Sequence, residues 1–165
     1  MQTTVQTIVL DKNSKRPDTI ELFRAFERLN REWLEEFFVV EDVDKELFRN
    51  VEEKIINQDG TIAFIKNENE IVGCGALLFH TPNKVELTKM AVTQKERGKG
   101  FGRVLMQLLI DVAAKRKITA LELVTNSSLK PAIKLYESFG FKKNGNGEEC
   151  AYDRGDYEML LMLGS

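Results

Sequence analysis

Histidine is almost absent from this chain: His80 is the single one among 165 residues, and cysteine is limited to Cys74 and Cys150. That scarcity excludes a zinc centre of spaced His and Cys ligands, and two isolated cysteines make no disulfide framework. Any Ser-His or Cys-His mechanism would rest on one ring with no nucleophile motif beside it, so His80 reads as structural. Cys74 lies in a strand-like run, 71–79, and reads as a small buried residue, the usual place of a free cysteine. No apolar run approaches the roughly 18 residues of a membrane span, and the start, Met1-Gln-Thr-Thr-Val5, has no basic segment ahead of an apolar one. A net charge of −2 gives no global basic field, which removes nucleic acid and anionic membrane from the expected partners. A cytoplasmic, soluble chain is the expectation. Its 165 residues suit a single domain, 1–165, and no repeat, linker or low-complexity tract divides it.

What is present is clear periodicity. Residues 4–10 alternate loosely, as a first strand. Over 18–37 the apolar residues Leu22, Phe23, Phe26, Leu29, Trp33, Leu34 and Phe37 fall at helical spacing, with Pro17 and Asp18 able to open the helix. Val43, Leu47, Val51, Ile55 and Ile56 continue that pattern in a second helix over 43–56, stopped near Gly60. Strand-like runs at 61–65 and 71–79 flank a polar hairpin, and Thr81-Pro82-Asn83 turns the chain into a third, 85–92. A helix over 100–115, a strand over 119–125 and a helix over 129–139 follow. The turn signals Asn144-Gly145 and Asn146-Gly147 precede a closing strand, 157–163. The order is β-α-α-β-β-β-α-β-α-β-β, a mixed α/β layer.

The most informative segment is Arg97-Gly98-Lys99-Gly100-Phe101-Gly102, between the strand ending in Met90-Ala91-Val92 and an amphipathic run. Glycines let the backbone turn tightly and approach a ligand, so unpaired N–H groups and the helix dipole face an anion together. Arg97, Lys99 and Arg103 add charge. A dinucleotide fingerprint needs a third glycine where Arg103 stands, and a Walker loop needs Ser or Thr where Lys99 is followed by Gly100. What fits is R-x-x-G-x-G. A second segment runs from Asn126 through Leu135-Tyr136 to Gly140-Phe141.

These two segments, in this order with a strand between them, resemble the pyrophosphate loop and the "LYxxxGF" helix of the GNAT family of N-acetyltransferases. The resemblance covers roughly residues 60 to 163, with the first 59 matching only in element order. It implies a single-domain fold with a mixed, mostly antiparallel sheet flanked by about four helices, acetyl-CoA as cofactor, and acetyl transfer to a small-molecule or peptide amine. Met90, Ala91 and Val92 would pair with the pantetheine, and a backbone N–H there would polarise the thioester carbonyl. Gly98 to Arg103 would hold the pyrophosphate. Tyr136 matches the tyrosine that faces the departing thiolate. Glu86, six residues before Val92, stands where histone-acetylating members carry a general base. An ordinary carboxylate is about 6 units too acidic to deprotonate a lysine-like ammonium directly, so that role needs a raised pKa or a water relay. Glu122 on the next strand is the competing base. The family commonly places Asn seven residues before the tyrosine. Leu129 stands there instead, which leaves Asn126 either as a cofactor contact or as a helix cap.

The family places the acceptor groove beside the first two helices and the last hairpin. Here Glu32, Glu35, Glu36, Glu41, Asp42, Asp44 and Glu46 face a single basic residue, Lys45. Such a field would attract a cationic amine; a solvated helical face is the plainer account. Tyr152, Asp153, Arg154, Asp156 and Tyr157 are further candidates for acceptor recognition; Trp33, Phe37 and Phe38 could line an apolar pocket, but helical spacing puts Trp33 and Phe37 in the core first. A non-catalytic acyl-CoA sensor of the same fold is the alternative, and a homodimer paired through sheet edges stays open.

Overall fold

The computed structural model describes residues 4–148 and 150–164. In chain order it forms β1 (Val5–Leu10), α1 (Thr19–Phe37), α2 (Asp42–Arg49), α3 (Val51–Lys54), β2 (Thr61–Asn67), β3 (Glu70–Thr81), β4 (Lys84–Val92), α4 (Phe101–Lys115), β5 (Ala120–Thr125), α5 (Lys130–Ser138), β6 (Lys142–Gly145) and β7 (Tyr157–Met162), with short 3₁₀ turns at Ile56–Gln58 and Gln94–Glu96. The strands make one seven-stranded sheet in the order β1-β2-β3-β4-β5-β7-β6. Every pairing is antiparallel except β4 with β5. This is the mixed, mostly antiparallel α/β fold that the sequence led us to expect.

Alternation along β2 shows how the layers form. Ile62 and Phe64 face Leu22, Phe26 and Leu29 of α1 and Leu47 of α2 on one side of the sheet. Ala63 and Ile65 face Leu105, Met106, Leu109 and Ala113 of α4 on the other. A strand period of two thus feeds two cores, and each helix supplies one stripe at its own period.

The single helix expected over 43–56 is divided. Asn50 leaves helical geometry at φ −131°, ψ 39°, with its backbone N–H on the Leu47 carbonyl and its side-chain amide on the Glu46 carbonyl. Local amide bonding of this kind competes with helix continuation. Phe37, expected in the core, is 46% exposed at the end of α1.

One irregularity positions the site. In β4 the register steps from Cys74↔Ala91 to Ala76↔Thr88, so Lys89 and Met90 together oppose Gly75. Lys89 takes left-handed geometry, φ 58°. A Cβ on Gly75 would overlap the Met90 sulfur, so glycine is what admits the bulged side chain there. A bulge bends its strand and raises local twist. β4 and β5 keep one register pair, Glu86↔Glu122, and then diverge. No described helix is long and apolar enough to cross a membrane.

Candidate active site

Beyond Glu86 the side of β4 that faces β5 has no strand partner, and a cleft opens between Thr88 to Met90 and Leu123 to Thr125. Trp33 and Phe38 from the end of α1 and Tyr136 from α5 wall it. β4 then runs through the turn at Gln94–Glu96 into the glycine loop, which opens α4. Gly98 and Gly100 have φ of 79° and 86°, and a Cβ at either would meet nothing within 4 Å. The outer face of the loop is therefore open. Val104 is the first residue of α4 to bond back, to the Gly100 carbonyl at 3.2 Å, and Gly100 supplies no side-chain cap. The N–H groups of Phe101, Gly102 and Arg103 precede that first helical bond, which leaves them as donors for an external acceptor.

The loop's cations are less free than the sequence suggested. Arg97 Nε donates to the Val92 carbonyl at 2.9 Å and Nη1 to Glu36 at 2.7 Å, while its Nη2 is buried without a partner. Lys99 pairs with Glu96 at 2.8 Å. Arg103 donates to the Ser138 hydroxyl at 3.2 Å and lies over Phe139. The backbone, not these side chains, supplies the open donors.

Tyr136 packs edge-on against Phe141, and burial pushes its phenol up to about 12. Asn126 lines the cleft, but its amide is engaged: Nδ2 donates to the Arg154 carbonyl at 2.8 Å, and Oδ1 accepts from the Ser128 backbone at 2.9 Å. It joins the start of α5 to the loop before β7.

A second, larger cavity of about 1140 Å³ lies beside the cleft, bounded by α2, α3 and strands β3, β4, β5 and β7. The two share Glu86, Thr88 and Lys89 of β4, Leu123 and Val124 of β5, and Cys150 and Tyr152, so they meet over the bulge. Glu86 and Glu122 sit opposite each other on the floor of the larger one. Burial raises the Glu122 carboxyl; Lys84 opposes that rise and the Glu86 charge adds to it.

His80, read from the sequence as structural, belongs to this cluster. The β3–β4 register shifts between Phe79 and Thr81 and leaves His80 out of the ladder, with its Nε2 2.7 Å from Glu86 Oε1. That bond, ahead of other influences, raises the His80 pKa. The signal was present in the sequence: the turn Thr81-Pro82-Asn83 brings the residues on either side of it together.

The acidic run is largely spent on internal partners. Glu32 accepts from the Thr93 hydroxyl and the Gln94 backbone, and Glu36 holds Arg97. Asp44, fully buried, accepts from Lys89 at 3.0 Å and from both amino nitrogens of Arg154 at 2.8 and 2.9 Å. Glu41 takes Arg154 and the Asp153 backbone. Lys89 and Arg154 both lie against the Tyr152 ring, at 4.1 and 4.2 Å from its centre. This network ties α2, the bulge and the loop before β7 together, and it removes most of the anionic field that the sequence alone displays.

Comparison with known proteins follows the same outline. The acetyltransferase (GNAT) family profile matches residues 26–141. An uncharacterized N-acetyltransferase of Schizosaccharomyces pombe is 32% identical over 122 residues, 71% of this chain and 74% of that one. The uncharacterized N-acetyltransferase YsnE of Bacillus subtilis is 40% identical over 76 residues, 45% of this chain, and the match spans 50% of its length. Among solved structures, a GNAT acetyltransferase from Staphylococcus aureus superposes with a TM-score of 0.80 at 18% identity, over 96% of this chain and 100% of that one. A GNAT acetyltransferase from Elizabethkingia anophelis, with acetyl-CoA bound, gives 0.67 at 19% identity, over 96% and 98%.

Proposed function

The chain belongs to the acetyltransferase (GNAT) family, and from that premise we propose that it moves an acetyl group from acetyl-CoA to an amine by direct attack in a ternary complex. The observation that carries this reading is the divergence of β4 and β5 beside open backbone donors at the start of α4. Acetyl-CoA supplies an activated acyl carbon and a thiol leaving group. Its pyrophosphate suits the N–H groups from Gly98 to Arg103, where the missing side chains at Gly98 and Gly100 leave room. Its pantetheine amides suit the unpaired edge at Met90, Ala91 and Val92, and Asn126 forms part of the wall they would pass. A protein of the same fold, from E. anophelis, binds acetyl-CoA.

Tyr136 faces this cleft. With its phenol pushed up to about 12 and a thiol near 8.5, complete proton transfer would be uphill by roughly 5 kcal/mol. Tyr136 therefore acts by donating a hydrogen bond to the departing sulfur. Tyr136→Phe should lower kcat at least tenfold with little change in acetyl-CoA affinity by calorimetry; unchanged turnover would remove this role.

The amine must lose a proton before it attacks, and Glu86 and Glu122 are the two carboxylates at the junction. Glu86 lines both cavities; Glu122 lines only the larger. We assign proton removal to Glu86, through water. Glu86→Gln should then abolish the acidic limb of the kcat/KM profile and cost about a hundredfold in rate, within the usual range for a positioned base. Glu122→Gln should keep that limb; the reverse result would exchange the two roles.

Thermal denaturation with and without acetyl-CoA, run beside a free-thiol release assay on a panel of amines, tests the whole reading. A shift of several degrees with thiol release for one amine class supports it and identifies the acceptor class. A shift without release supports a non-catalytic acyl-CoA sensor, and no shift at millimolar acetyl-CoA removes the cofactor assignment.

A further inference from the structure

We propose that His80 is the proton exit of this site: it holds the Glu86 carboxylate at the cavity floor and passes to solvent the proton that Glu86 takes from the attacking ammonium. The inference rests on the transferase reading above and concerns a step that reading leaves open.

Proton balance creates the need. An ammonium brings three N–H protons. As the C–N bond forms and the C–S bond breaks, one stays on the amide nitrogen and one ends on the thiol. The third must leave the site in every turnover, and no electron is transferred to any other group. Glu86 receives it, but the Glu86 side chain is only 15% exposed and sits where the two cavities meet. A carboxyl that kept the proton there could not serve the next turnover.

Geometry supplies the outlet. His80 Nε2 lies 2.7 Å from Glu86 Oε1, within direct transfer distance, and its side chain is 42% exposed. It lines the larger cavity and not the cleft, so it stands on the side of Glu86 away from the proposed cofactor cleft. The ladder break between Phe79 and Thr81 frees it to turn toward the carboxylate. Glu86 and Lys84 of β4 and Glu122 of β5 act on its ring, and Glu46 of α2, Glu53 and Lys54 of α3, Lys89 of β4 and Glu158 of β7 line the same cavity. The Glu86 bond raises its pKa, and an imidazole is more basic than an ordinary carboxylate, so a proton passes from a carboxyl to the ring downhill. His80 acts through Glu86 and is a positioning residue.

The single histidine makes the test direct, because one imidazole Cε1–H signal reports the pair by NMR. In the wild type it should titrate above the ordinary value of about 6.5, and Glu86→Gln should bring it down toward that value. His80→Gln keeps a polar side chain at an exposed position. With the best amine of the panel it should lose about tenfold in kcat/KM, carry its acidic limb to lower pH, and regain rate on addition of imidazole. The acceptor's own ionisation is common to both proteins and cancels in the comparison. A His80→Gln enzyme with the wild-type profile, or with a lower rate that imidazole leaves unchanged, would overturn the relay while leaving the transferase reading intact. A wild type that releases no thiol with any amine would overturn both, and the NMR titration would still separate a misplaced pair from a misread enzyme.

Discussion

Gly100→Asp is expected to weaken acetyl-CoA binding about a hundredfold or more while costing the fold no more than about 1 kcal/mol. Gly100 has φ 86°, and a Cβ there meets nothing within 4 Å, so the only folding cost is the left-handed backbone. Aspartate and asparagine tolerate that region better than other residues, which keeps the penalty near the low end of about 1–2 kcal/mol. The binding cost is electrostatic. A unit charge about 5 Å from a phosphate charge, at an effective dielectric near 20, is unfavourable by about 3 kcal/mol, and the donors at the start of α4 would find a carboxylate already within reach. Gly100→Asn is the paired control, with the same shape and backbone strain and no charge. Calorimetric titration with acetyl-CoA should show Asn near wild type and Asp far below it. Equal losses would mean that the ligand needs the space and not the field, and no loss in either would move the pyrophosphate away from this loop.

The parts of this site that the sequence reveals are those whose cause is local. The glycine loop is legible because positive φ at Gly98 and Gly100 and a free helix start are properties of a few adjacent residues. α1 and α4 are legible because each buries one stripe at helical spacing. Lys89 is the opposite case. In sequence it is one polar residue in an alternating strand, yet it sits at the bulge with φ 58°, held by an ion pair to Asp44 from a helix that comes much earlier in the chain. No local pattern encodes that contact. The acidic run misleads for the same reason: its partners Arg97 and Arg154 come from segments far along the chain. Asn50 and Phe37 fail differently, because helical spacing records which residues share a face and not where a side-chain amide ends the helix or where the neighbouring layer stops. His80 required pairing information across a turn, which composition does not carry.

Removing the Asp44 carboxylate should be the most destabilising single change in this region, about 3–5 kcal/mol for Asp44→Ala. Asp44 has no exposure, Lys89 has 6% and Arg154 14%, so the substitution strands the Lys89 ammonium away from water and leaves Arg154 with Glu41 alone. It also frees the ammonium of Lys89, the residue that takes left-handed geometry at the bulge. For a chain of this length that loss lowers Tm on the order of 10 °C. Exposed pairs such as Lys95 with Glu70, 62% and 52% exposed, should contribute little when removed, which gives an internal comparison. The pH dependence has a definite sign. Burial opposes ionisation of Asp44, but the Arg154 hydrogen bond and the Lys89 charge outweigh it and hold the carboxyl below its ordinary value. Its contribution is therefore fully present above the unfolded carboxylate value and is lost as pH falls through the folded one. Urea denaturation at neutral pH and through the acid range should show wild type and Asp44→Ala converging as pH falls. A gap that stays constant into strong acid would mean that Asp44 stabilises by shape and not by charge. Asp44→Asn then separates fold from chemistry: it keeps the shape, loses the charge that organises Lys89 and Arg154 around Tyr152, and should lower acyl transfer more than its loss of stability accounts for.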